Sequence, residues 1–210
     1  MSGLTGPGWS EAEGSLDLDH EFERGVRCLL DLGYHKALGQ EKAAYADALP
    51  RPSWDGEAAA EGYDRLILVD PRVPMEVALK HGNLAHHMPH AQIEDVTPAR
   101  SGGGPYWLQA QPGDRFRGRA VRDAIAAFAP GERGLTVTEG IALVLQHPDV
   151  TAEDRGVDLP GSRARGFDVP CMAVWYGKVG LFGRSETIAS PLYGAATARL
   201  PPLPSSPMRA

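Results

Sequence analysis

Thr136 and Glu139, three residues apart at the head of an apolar run, constrain this chain more than any other feature of its 210 residues. At that spacing the threonine hydroxyl accepts a hydrogen bond from the backbone of Glu139 while the glutamate carboxylate accepts one from the backbone of Thr136. Two of the orphan donors of a helix start are thereby satisfied. Val137, Ile141, Val144 and Leu145 follow on one helical face, and Pro148 ends the run. Leu143 is apolar on the opposite face, so this helix is expected to be covered on more than one side. A helix of that kind needs other elements packed around it.

The rest of the chain supplies them. Residues 171–176 and 179–184 are apolar runs around Gly177-Lys178, the spacing of a tight β-hairpin. Leu66, Ile67, Leu68 and Val69 run without a break up to Pro71, which suits a short buried strand. Residues 106–110 read as another strand, and residues 92–96 as a third inside a long loop spanning 83–104. Phe22, Val26, Leu29 and Leu30 mark a first helix with Asp17 or Asp19 as cap and Gly33 as stop. Residues 34–49 suggest a second helix, irregular at Gly39. A third starts at Pro74 and stops at Gly82, and residues 118–128 place Val121, Ile125 and Phe128 at helical spacing. The fold class is therefore α+β: helices packed on a small mixed or antiparallel sheet that includes the C-terminal hairpin. Residues 16–199 form the expected single globular domain, between a flexible arm at 1–15 and a Pro-rich disordered tail at 200–210.

Charge and composition narrow the partners. With 27 acidic against 21 basic residues the net charge is −6, which repels a phosphate backbone or an anionic membrane overall. Nucleic acid is therefore disfavoured as a partner. No apolar stretch reaches membrane-spanning length, and the N-terminus lacks the basic and apolar regions of a secretion signal. Cys28 and Cys171 read as reduced core thiols, so the expected location is the cytoplasm and the expected partner an unidentified small molecule or protein.

Local patterns that resemble sites mostly fail on spacing. His81, His86, His87 and His90 cluster, but Pro89 breaks the helix that would align two of them, and no Glu or Cys completes a zinc pattern. No metal and no cofactor are assigned. Asp17, Asp19, Glu21 and Glu23 resemble a calcium loop, yet Phe22 stands where a turn glycine is required. Gly102-Gly103-Gly104 lacks the Lys-Ser/Thr of a phosphate-binding loop, and Ser162 lacks the second glycine of a nucleophile elbow. Arg115, Arg117, Arg119 and Arg122 beside Trp107 and Phe116 are partly neutralised by Asp114 and Asp123. Pro201 to Pro204 fits P-x-x-P, a pattern common by chance.

The strings Tyr34-His35-Lys36-Ala37-Leu38-Gly39, Asp70-Pro71-Arg72-Val73-Pro74, Arg133-Gly134-Leu135-Thr136-Val137-Thr138-Glu139-Gly140-Ile141-Ala142-Leu143 and Asp158-Leu159-Pro160-Gly161-Ser162 resemble an uncharacterised bacterial family of unknown function. That family is best represented in GC-rich, actinobacterial-type species. The resemblance covers about residues 30–185 and implies no reaction, substrate or catalytic residue. Arg72, Asp158, Arg163 and Trp175 have no structural duty visible in the sequence, and they are the candidates for the polar and aromatic lining of a ligand site. The competing reading has Arg72 and Asp158 pair with each other and hold loops. Without paired carboxylates, a nucleophile–base motif or a cofactor fingerprint, the chain reads first as a non-enzymatic binding or interaction module. The alternative is a small hydrolase or transferase on an anionic substrate, with Arg72 and Arg163 as clamps and Asp158 as acid or base.

Overall fold

The computed structural model describes residues 16–97, 103–166 and 169–199; the arm at 1–15, the tail at 200–210 and part of the triple glycine lie outside them. The chain opens with α1 (Leu18–Asp31), whose first amides are capped by the Asp17 carboxylate. The stretch read as one second helix is two short ones, α2 (Tyr34–Ala37) and α3 (Lys42–Asp47). Gly39 between them has a φ of +64°, a left-handed conformation that no continuing α-helix contains. Short α4 (Gly56–Ala60) precedes β1 (Arg65–Val69), and α5 (Met75–His81) stops at Gly82 as its composition predicts.

The long loop that follows carries β2 (Ala85–His86) and β3 (Ile93–Asp95), and leads to β4 (Tyr106–Gln111). The helix expected over 118–128 shrinks to α6 (Val121–Ile125) behind a 3-10 turn at Asp114–Phe116. Gly118 accounts for the loss: its φ is +81° and its amide donates to the Tyr193 carbonyl instead of to a helical partner. After β5 (Glu132–Gly134) comes α7 (Val137–Gln146), with both hydrogen bonds of the capping box in place at 2.9 and 3.3 Å. The chain continues through β6 (Gly156–Asp158), β7 (Ser162–Ala164), β8 (Val169–Trp175), β9 (Lys178–Arg184), β10 (Tyr193–Ala195) and β11 (Thr197–Arg199).

The fold is an α+β mix, but its strands form two principal sheets and a ribbon. One sheet runs β1-β4-β11-β5 and is antiparallel throughout. The other runs β10-β6-β8-β9-β2, mixed, with parallel pairs at both edges, and β3-β7 make the ribbon. Helix α7 packs against β1 of the first sheet and β8 of the second, which is why its residues are apolar nearly all round. The sheets also share one continuous stretch of chain. β10 belongs to one and β11 to the other, and between them Ala196 donates to the Asp158 carbonyl and accepts from the Leu135 amide. Alanine at 195, 196 and 198 is buried there, small enough for both layers to close.

The hairpin of β8 and β9 is present, displaced by one residue from its sequence reading. Trp175 pairs with Lys178, so the two turn residues are Tyr176 and Gly177, with φ of +48° and +73°. Two positive φ values make this the I′ turn whose twist matches the strands it joins.

Candidate functional site

Three of the four residues singled out in the sequence are held by partners of their own. Asp158, at the end of β6, is fully buried, and Arg184 Nη1 donates to both its carboxylate oxygens at 3.1 and 2.9 Å. Burial pushes its carboxyl up to about 6, the Arg184 charge and hydrogen bonds working against that rise. The Arg184 guanidinium also lies over the Tyr193 ring at 4.6 Å. Arg72 pairs with Asp70, its Nε and Nη2 donating at 2.8 and 2.7 Å, while the Tyr45 hydroxyl donates to the same carboxylate at 2.9 Å. The expected Arg72–Asp158 pair is thus replaced by two separate pairs, because each residue meets an opposite charge nearer in its own layer. Arg163, on β7, lies 3.1 Å from Glu186. Trp175 alone of the four is open to solvent, at 58% exposure.

The loop between Asp158 and Arg163 is architectural. Gly161 lies against Gly134 so closely that a Cβ on either would fall within 2.7 Å of the other's backbone or its neighbours. Its amide donates to Leu135 and its carbonyl accepts from Val96 and Thr97. Ser162 is buried; its hydroxyl accepts from the Val137 amide at the head of α7 and donates to Asp95 at 2.5 Å. The Glu139 carboxylate that caps α7 also receives Arg133 Nη1 and Nη2 at 2.7 and 2.5 Å and the Tyr106 hydroxyl at 2.8 Å. Burial alone would raise its carboxyl; Arg133, the Thr136 amide and Tyr106 outweigh burial and hold it below the ordinary range. These groups hold one another, with the buried Arg133 Nε left without a hydrogen-bond partner.

Three of the loop histidines take separate places in the fold. His81 faces the Leu32 carbonyl, His86 sits in β2 and His87 stacks on Phe182. Among the described residues, no three His, Cys, Asp or Glu side chains are placed to hold a metal ion. Both cysteines are free, Cys171 buried in β8 and Cys28 half-buried rather than in the core.

What the structure does assemble is an aromatic strip at the open end of the hairpin. Cross-strand register puts Trp175, Lys178, Gly180 and Phe182 on one face of β8 and β9. Trp175 meets Tyr176 edge-on at 5.5 Å and Phe182 at 6.2 Å, and Phe182 is stacked by the His87 ring at 4.2 Å. Gly180 makes room for this: a Cβ there would sit 2.9 Å from the Ala85 Cβ and 3.1 Å from the His87 ring. Tyr176 is 93% exposed. A left-handed backbone costs an ordinary L-residue about 1–2 kcal/mol, and I′ turns favour Asn, Asp or Gly, so a tyrosine there is not a turn-former, and its ring contact is the edge-on one with Trp175.

A family model described as a family of unknown function (DUF5701) matches residues 28–192. The chain belongs to that family. No curated protein and no solved structure matches the chain. The family match spans α7, the Asp158 loop and the whole aromatic hairpin, and carries no activity to transfer. Trp175 was singled out in the sequence as a ligand-site candidate; His87 was noticed only in the histidine cluster and Lys178 only as a turn residue, and Tyr176 and Phe182 were not singled out. The Trp-Tyr pair ahead of Gly177 was the available signal, and Phe182 and His87 join it only through strand pairing.

Proposed function

We propose that the protein is a non-enzymatic interaction module of the cytoplasm, and that its contact surface is the strip of Trp175, Tyr176, Phe182 and His87. The observation that carries this reading is Tyr176: a fully displayed aromatic ring in a backbone conformation unfavourable to it, where asparagine would fold better. Local rules broken for no burial, at a ring whose described contact is one exposed aromatic neighbour, mark positions retained for another reason. Exposed Trp and Tyr are also the side chains that dominate protein contacts, having large rigid surfaces and a polar edge. The free thiols and the absence, among the described residues, of a helix long and apolar enough to cross a membrane support the assignment to a reducing aqueous compartment. The hydrolase or transferase reading gains no support, since its acid would be the inaccessible Asp158 and one of its clamps, Arg72, already binds Asp70.

The test is a photo-crosslinking amino acid installed at position 176, with position 57 on α4 as an exposed control, in the cells the protein comes from. A discrete protein adduct at 176 that is absent at 57 and lost with Trp175→Ala is expected. The same adducts at both positions, or none at 176, would overturn the assignment.

A further inference from the structure

From the charge around the strip we infer that its partner is an acidic polypeptide segment with apolar side chains; this rests on the interaction-module reading. The chain carries 27 acidic residues, yet 77–93 and 169–185, which contribute β2, β8, β9 and all of α5 but its first turn, contain no Asp or Glu; Glu76 stands in that first turn. The same two segments hold Lys80, Lys178, Arg184 and four of the seven histidines. Lys178 stands directly across from Trp175 at the tip, so a cation and an indole are presented side by side. Arg184, at the other end of β9, is largely spent on buried Asp158 and leaves Lys178 as the charge the tip offers.

This distribution selects among partners. A basic segment would be drawn to the acidic remainder of the surface and would gain nothing at a strip lacking carboxylates. An acidic segment is repelled by most of the molecule and tolerated at the strip, so the same field that lowers its approach elsewhere steers it to the aromatic rings. The rings supply the apolar contact and Lys178 the register. Single-stranded nucleic acid would also use stacked aromatics, but it binds through several phosphate contacts, and the tip provides one lysine on a chain of net charge −6.

The experiment titrates the full chain with short synthetic peptides in which Phe alternates with Glu, Gln or Lys, and with a short oligothymidylate, following tryptophan fluorescence. The Glu peptide is expected to bind at least about tenfold tighter than the Gln and Lys versions, to weaken with added salt, and to lose about tenfold with Lys178→Glu but not with Glu57→Lys. Equal binding of the Glu and Gln peptides, no binding of the Glu peptide, or preference for the oligonucleotide would each overturn the acidic-partner inference. The crosslink at position 176 is read separately. An adduct there together with no Glu preference leaves the interaction surface standing and removes only its acidic specificity, whereas no adduct removes the surface itself.

Discussion

At the scale of single residues, the buried charges of this protein divide into those that fold it and those whose ionisation opposes folding. Arg133 and Glu139 belong to the first kind: the pair is buried, and the carboxylate caps α7. Arg133→Met leaves Glu139 charged with its main partner gone, and stability in urea is expected to fall by about 3–5 kcal/mol. A loss below about 1 kcal/mol would mean the cap and Tyr106 suffice. Asp158 belongs to the second kind. Its carboxyl titrates near 3.8 ordinarily and at about 6 in the fold, so the folded protein holds that proton more tightly than the unfolded chain. The associated stability is complete below pH 3.8 and is lost as the pH rises through about 6. Glu139 runs oppositely, its contribution being present above its ordinary value of 4.5 and lost as the pH falls. Melting temperatures of wild type and Asp158→Asn across this range separate the two. The wild type's stability relative to the variant should decline as the pH rises from about 4 to 6.5, and a constant difference would contradict the assignment.

At the scale of elements, the hairpin shows what sequence patterns reveal and where they stop. Its two apolar runs were legible because each exceeds five residues, and α7 was legible because cap, periodicity and stop agree. β2, β5, β6, β7, β10 and β11 were not, since strands of two or three residues show little alternation; β3, equally short, was legible only within the 92–96 stretch of its loop. The Asp158 loop stood out by its composition, but its close backbone contact between Gly134 and Gly161 was not legible, because it involves residues far apart in the chain. The turn was misplaced by one because Tyr176 does not look like a turn residue. That anomaly is itself testable. Tyr176→Asn puts a residue tolerant of φ near +50° at the first turn position, and should stabilise the protein by about 0.5–1 kcal/mol in chemical denaturation. Destabilisation by the asparagine would show that the tyrosine ring is a folding element after all.

At the scale of the whole molecule, the question is whether two sheets joined through one helix and the stretch from β10 to β11 behave as a single cooperative unit. Two features lead us to expect that they do: α7 packs on both β1 and β8, and the chain passes from β10 to β11 through Ala196 without leaving the core. Ala196→Pro removes the amide that donates to the Asp158 carbonyl and leaves that buried oxygen one partner short, which should lower stability by about 1–3 kcal/mol. The location of the loss is more telling than its size. If the sheets open only together, the slowest-exchanging amides of Leu68 in β1 and Met172 in β8 report the same global event, and the proline speeds both by the same factor. If each sheet opens alone, the amides separate, and only those of the sheet that loses its edge strand respond. Hydrogen exchange followed residue by residue distinguishes these cases. Equal acceleration makes the aromatic hairpin an extension of a rigid body, so that a partner docking at Trp175 meets a preformed surface and gives up little binding energy to ordering it.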